Sequence, residues 1–362
     1  MGGAEKVLVN LVNHIDPSRF DITVMTLFGG GVNEQFLKPH IKLINIFDKC
    51  LPGNSHIMKL FSPRTLHNFC IKDEYDIEVS YLEGPCARII SGCPHKRTKL
   101  VSWIHIEQHS RKKAAKSFRS YEESKKCYNK FHLHAFVSES VKLDFCSLYS
   151  LDNECVVLYN TNDYNKICDL AKEPITDMPR ERGEYSLIAV GKIIHTKGFL
   201  RLARIHKSLR DENIPVHTYI LGKGPQQKDI EHYLEEHNLK ESFSFLGYQL
   251  NPYKYIAKSD IFICSSYAEG FSTAATEAII VGTPVCTTNV AGMKELLGNN
   301  NEYGIITDNN ENELFLSIKK LLTNPSLLRY YKQQALLRSS DFETSKSVEK
   351  VEAALFRLMQ NK

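Results

Sequence analysis

The sequence predicts an α/β protein built of two Rossmann-like β/α/β domains, and three observations carry that expectation. Short β-rich runs alternate with helical stretches along almost the whole chain, as in parallel strands joined by crossover helices. At 362 residues the chain is long enough for two domains with sizeable cores. One polar, proline-bearing stretch, TNDYNKICDLAKEPITDMPRERGEYS, interrupts the rhythm, which then starts again. The domains are therefore placed at 1–162 and 163–344, with 345–362 a final helix expected to pack back on the first domain.

The first domain's strands are read at Asp21–Phe28, Lys42–Phe47, Asp76–Leu82, Leu100–Ile106, Ala135–Ser138 and 154–160. After the boundary come Leu187–Val190, His217–Leu221, Ser244–Leu246, Ile261–Ser265, Val285–Thr288 and Gly304–Thr307. Each is a short run rich in β-branched or aromatic residues and bounded by turn formers. The helix at Ala274–Val281 is stopped by Gly282 and Pro284, and Ser345–Met359 reads as amphipathic. The start is unusual. MGGAEKVLVNLVNHI runs from a glycine turn straight into a helix with Val7, Leu8, Leu11 and Val12 on one face. Such a turn follows a strand, and the first strand of a doubly wound sheet is central. The first strand is therefore expected to be missing here, and the working protein to carry roughly 10–15 further residues upstream that form it. A gap or a contracted sheet is expected beside Asp21–Phe28.

Composition excludes several classes. The chain is 42% hydrophobic and 24% charged, ordinary for a globular protein, and no run approaches the ~18 apolar residues of a membrane span. No signal-peptide pattern precedes the first structured segment, which with the thiols points to a cytoplasmic location. The ten cysteines are scattered, with no CxxC pair and no histidines at zinc spacing, so they read as reduced thiols. A net charge of +4 names no partner. Residues 111–130, RKKAAKSFRSYEESKKCYNK, hold eight Lys or Arg against two Glu. This is either a solvated helix face or a basic helix at an anionic membrane surface or a lipid-phosphate acceptor. No nucleic-acid motif accompanies the charge, so nucleic acid is not expected.

The chemistry is concentrated in the second half. SSYAEGFSTAATEAIIVGTP places Glu269 and Glu277 with seven residues between them, across a loop at the carboxyl end of a parallel strand. Open α/β sheets bind ligands there. Gly270, Phe271, Ser272 and Thr273 lead into the helix, whose first N–H groups can approach an anion. Glu277 is surrounded by alanine and isoleucine, and a buried carboxylate needs donors, which two adjacent sugar hydroxyls would supply. The bland alternative is a solvated helix face. Gly191-Lys192 ends one strand, Lys197 opens the next helix, and Gly222 and the pair Gly247-Tyr248 follow two later strands. No Gly-Lys-Ser/Thr closes the Gly222 turn, so it is not a P-loop, and no GxGxxG dinucleotide fingerprint is present.

In this order these segments resemble the family 4 glycosyltransferases, retaining enzymes of the GT-B architecture, two Rossmann-like domains facing a central cleft. Glu269 and Glu277 match the family's E-x7-E element, LGKGP its G-x-G-P turn and FLGYQ its base-binding loop. GKIIHTKG matches its G-R-x(4)-K-G loop, with Lys192 where arginine is usual. In the first half GGAEKVLVNLVN is similar to the glycine loop and first helix, placing Gly3 at the donor. SWIHIE puts His105 where many members hold a histidine near the reacting sugar, though a histidine at a strand end beside Trp103 is often structural.

The resemblance implies a metal-independent, hexosyltransferase-type enzyme. It would move a sugar from a nucleotide-diphosphate donor, such as a UDP-sugar, to a glycan or lipid-diphosphate-linked acceptor in capsule, exopolysaccharide or lipopolysaccharide assembly. Glu277 would hold the ribose, Glu269 the donor sugar, and Lys192 and Lys197 the departing diphosphate. His105, Lys197 and Glu269 would be catalytic, with no cofactor and no metal ligand. A peripheral position at the inner face of the cell membrane would follow if 111–130 touches lipid. The alternatives are a nucleotide-sugar epimerase of the same architecture and an inactive sugar-nucleotide-binding module.

Overall fold

The strands pair in parallel throughout, in the order that crossover connections impose. The computed structural model describes residues 3–48, 57–151, 153–179 and 183–360. It divides into two units, residues 1–162 with 344–362, and residues 163–343.

The second unit is one six-stranded sheet: β7 (Tyr185–Val190), β8 (Val216–Leu221), β9 (Phe243–Gly247), β10 (Ile261–Cys264), β11 (Val285–Thr288) and β12 (Ile305–Thr307). Their order is β12-β11-β10-β7-β8-β9, so the direction of winding reverses between β7 and β10. Strands β8, β10 and β11 are buried at every position, and β10, IFIC, reads as an unbroken apolar run for that reason. Helix Phe199–Asp211 presents Leu202, Ile205 and Leu209, at helical spacing, to Leu187, Ala189 and Ile220 of the sheet. His206 in that core is held by Thr218 Oγ1 and Ser242 Oγ, each at 2.9 Å, and burial pushes its pKa down to about 3.

In the first unit the described strands form two sheets. β1 (Thr23–Phe28) pairs with β2 (Lys42–Phe47), while β3 (Ile77–Ser80), β4 (Lys99–Ile104), β5 (Leu133–Phe136) and β6 (Glu154–Val157) pair in sequence. Val12 of helix Gly3–His14 packs on Val24 and Ile41, and Leu66, Cys70 and Ile89 pack with Met25 and Leu27. In the second unit β7 stands between β8 and β10. Among the described residues of the first unit, no strand joins the β1–β2 pair to the β3–β6 sheet. Gly2 of the glycine turn lies outside the described residues.

Two expectations need correction. The polar stretch after Asn162 is not simply a linker: Tyr164–Leu170 is a helix, with Ile167 buried against Tyr253 and Ile280. The basic segment is not one helix but two short ones, Arg111–Ala114 and Tyr121–Tyr128, capped by Ser110 and Ser120. Those serines accept the N–H of Lys113 and Glu123, which restarts the helix instead of continuing it. Helix Thr344–Gln360 groups with the first unit, where Glu352 accepts the Asp16 N–H at 2.9 Å and pairs with Arg19 at 3.1 Å. Among the described residues, the cysteines are free thiols and no helix is long and apolar enough to cross a membrane.

Candidate active site

The winding reversal between β7 and β10 puts the loops after those two strands side by side at the carboxyl edge of the sheet. Lys197 ends a 3-10 turn after β7, and Glu269 lies in the loop after β10. Although 72 positions apart, their side chains meet: Lys197 Nζ donates to Glu269 Oε1 at 2.6 Å. Ser266 Oγ donates to the same oxygen at 2.6 Å, leaving Glu269 Oε2 without a partner among the described residues. The lysine side chain is 27% exposed and the glutamate 10%, so the pair is partly desolvated and open on one side.

Gly198 closes this approach. It has φ 66°, and a Cβ there would stand 2.0 Å from the Ser265 carbonyl oxygen, so only glycine lets the two loops touch. The same reasoning joins the other glycines. A Cβ on Gly222, at φ 146°, would lie 1.9 Å from the Gly191 oxygen, and the Gly222 N–H donates to the Gly247 carbonyl at 2.7 Å. Gly191, Gly222 and Gly247, read from three separate motifs, are thus one backbone ledge along the ends of β7, β8 and β9. Tyr248, 48% exposed, follows the ledge.

Helix Thr273–Ile280 begins beside the pair. Gly270, Phe271 and Ser272 are buried, and Ser272 Oγ caps the helix by accepting the Ala275 N–H at 3.3 Å. Glu277 is 3% exposed, within the helix's alanine and isoleucine face. The solvated-face alternative for Glu277 is therefore overturned. Lys192 is not gathered into the cluster: it is exposed, and its ammonium makes no hydrogen bond or ion pair among the described residues.

One residue that organises the loop was not anticipated. Arg201, 2% exposed, donates Nη2 to the carbonyls of Ser265 and Ser266, the latter at 3.0 Å, and Nη1 to Asn309 Oδ1 at 2.9 Å. Its guanidinium lies 4.1 Å from the Tyr267 ring centroid, and His195 stacks on the same ring. The available signal was an arginine four residues before Ile205, on an otherwise apolar helix face. Ser266, bonded to Glu269, is another addition.

In the first unit, His105 follows β4 and is 8% exposed. Its ring packs 4.9 Å from Tyr81, burial lowers its pKa to about 4, and its Nε2 is buried without a partner. It is a neutral imidazole at pH 7. The Glu83 carboxylate, unanticipated from sequence, accepts the His105 N–H at 3.1 Å, and burial raises its pKa. Gly3 is the exposed first residue of its helix. Among the described residues, His67, Glu78 and Cys93 form the one group able to offer three metal ligands, and Glu78 already accepts from His67 at 2.8 Å and Cys93 at 3.4 Å. None of the anticipated site residues belongs to it.

Comparison with known proteins agrees with this geometry. Residues 175–338 match the family model described as Glycosyl transferases group 1, which spans the Lys197–Glu269 loops and Glu277. A Campylobacter jejuni N-acetylgalactosamine-N,N'-diacetylbacillosaminyl-diphospho-undecaprenol 4-alpha-N-acetylgalactosaminyltransferase is 31% identical over 195 residues, 53% of this chain and 51% of that protein. The chain thus spans about half the length of the curated relatives it matches. Among solved structures, Anabaena HepE in complex with UDP aligns with TM-score 0.75 at 17% identity, over 98% of this chain and 96% of that one. A glycosyltransferase from Rickettsia africae aligns with TM-score 0.77 at 16% identity, over 100% and 96%. These likenesses show the GT-B fold.

Proposed function

We propose that this chain, whose second unit carries a glycosyl transferases group 1 domain, is a retaining glycosyltransferase that uses a nucleotide-diphosphate sugar and needs no metal. The observation that carries the reading is the Lys197–Glu269 pair, bonded at 2.6 Å beside the start of helix Thr273–Ile280. It sets a cation beside the first N–H groups of a helix, an arrangement that supports the holding of a diphosphate. The UDP held by the HepE structure and the Campylobacter relative's action on a diphospho-undecaprenol acceptor support this choice of donor and acceptor.

In this reading Glu277 accepts the two ribose hydroxyls, Tyr248 and the glycine ledge meet the base, and Lys197, with Lys192, neutralises the diphosphate. Glu269 Oε2 faces a donor-sugar hydroxyl. The bond from the anomeric carbon to the phosphate oxygen breaks while an acceptor oxygen bonds to the same face. The acceptor's proton passes to the departing phosphate oxygen, so no enzymatic base is required and configuration is retained. His105, neutral at pH 7 with its pKa near 4, offers Nε2 as an acceptor for a sugar hydroxyl. The acceptor is a glycan or lipid-diphosphate hydroxyl in assembly of a capsule, exopolysaccharide or lipopolysaccharide. The enzyme works on the cytoplasmic side, with segment 111–130 at the membrane.

Incubating the protein with a panel of UDP- and GDP-sugars and a lipid-diphosphate acceptor, with EDTA present, tests the reading. A glycosylated acceptor with retained anomeric configuration is expected. Free epimerised sugar would favour the epimerase, no donor turnover would leave a binding module, and loss of activity in EDTA would refute metal independence.

A further inference from the structure

Residues 57–61 form a turn, with the Leu60 N–H donating to Ile57 O at 3.0 Å and the Phe61 N–H to Met58 O at 3.3 Å. It holds Ile57, Leu60 and Phe61 at 51%, 76% and 47% exposure, and Leu60 is the most exposed large hydrophobic residue described. Single exposed apolar residues are ordinary, but three within five residues are not.

The turn is also fixed in place. Arg88, 1% exposed, donates to the carbonyls of Met58 at 2.8 Å and Phe61 at 2.7 Å. Arg119 donates to the carbonyls of Lys59 and Leu60, the latter at 2.8 Å. Glu123 ties both arginines together, pairing with Arg88 at 3.0 Å and accepting the Arg119 N–H at 2.6 Å. Two guanidinium groups therefore fasten the backbone of an outward-facing apolar turn to the basic segment. Burying a guanidinium is costly, and here it serves to hold leucine and phenylalanine in water instead of in the core.

Arg111, Lys112, Lys113, Lys116 and Arg119 are exposed on the segment to which the turn is tied. Of its two acids, Glu123 is spent on Arg88 and Arg119, so the free charge is strongly positive. Apolar side chains tied to a basic segment match an anionic bilayer, where acyl chains lie just beneath phosphates.

We propose that the 57–61 turn and the basic face of 111–119 form one docking surface for an anionic phospholipid membrane, with Leu60 and Phe61 entering the acyl boundary. This deepens the membrane contact proposed above and rests on that reading only for the position of the basic segment. It supplies the apolar half that charge alone lacks.

The test is co-sedimentation of the full chain with vesicles of phosphatidylcholine, alone or mixed with phosphatidylglycerol. Binding is expected only to the mixed vesicles, and should weaken about tenfold or more between roughly 0.05 and 0.5 M salt. Leu60→Glu with Phe61→Glu should reduce it by about tenfold or more with little change in melting temperature, because Leu60 is mostly and Phe61 about half in water already. Lys112→Glu with Lys113→Glu should do the same. Absence of binding to mixed vesicles would overturn the proposal, as would binding indifferent to the Leu60 and Phe61 changes. UDP affinity, measured on the same proteins, separates the two claims: its absence would undercut the transferase reading and leave the vesicle result standing.

Discussion

Replacing Glu269 by Gln removes one charge from the Lys197 pair and keeps the side chain's size. At the observed 2.6 Å, opposite unit charges attract by about 6 kcal/mol at an effective dielectric of ~20. Desolvation of both groups offsets most of this, so the net loss of stability should be roughly 1–2 kcal/mol, a fall in melting temperature of about 3–6 °C. Binding and turnover should respond differently. Lys197, released from its carboxylate partner, presents its full charge to a diphosphate, so UDP affinity should hold within about threefold or tighten. Turnover should fall by roughly a hundredfold, because Glu269 no longer opposes the positive charge that develops on the sugar ring. Titration calorimetry with UDP and a transfer assay on one protein sample give both numbers. If UDP affinity falls in step with turnover, Glu269 is a binding anchor; if neither moves, the site assignment fails.

Glu277→Gln should weaken nucleotide binding by ~1–3 kcal/mol through lost charged hydrogen bonds, and an unchanged UDP affinity in a folded variant contradicts the ribose role. Lys197→Ala should lower the transfer rate more than Lys192→Ala, since only Lys197 is held against Glu269, while Lys192→Arg should leave activity intact or raise it; a loss greater than about tenfold on the latter would mean the site is built around lysine. Burial sets the pKa of His206 near 3 and of His134, buried in β5 and hydrogen-bonded to Ser102 Oγ at 2.6 Å, near 4, so the unfolded chain takes up protons first as pH falls below about 6.5. Stability is full above that pH and should drop by roughly 2 kcal/mol per histidine by pH 5, read from urea midpoints; a flat profile would refute neutral burial.

The element order was legible in the sequence because parallel strands buried on both faces leave dense apolar runs, as in IFIC of β10, with glycine and proline marking the turns between them. Glu277 stood out for a related reason, as a charge amid alanine and isoleucine. Local pattern ends there. That Lys197 bonds to Glu269, or that Gly191, Gly222 and Gly247 form one ledge, depends on which strands are neighbours, and the reversal between β7 and β10 decides that. Arg201 stayed hidden because two of its partners are backbone carbonyls 64 and 65 positions away, and carbonyls carry no sequence signature. The basic segment's charge was plain, yet the apolar turn beside it was not, because Leu60 and Phe61 resemble core residues until two arginines are seen holding them out. Sequence determines what each segment can bury. The tertiary structure decides which buried and exposed groups face one another, since contacts between distant segments are set by the packing of the whole sheet.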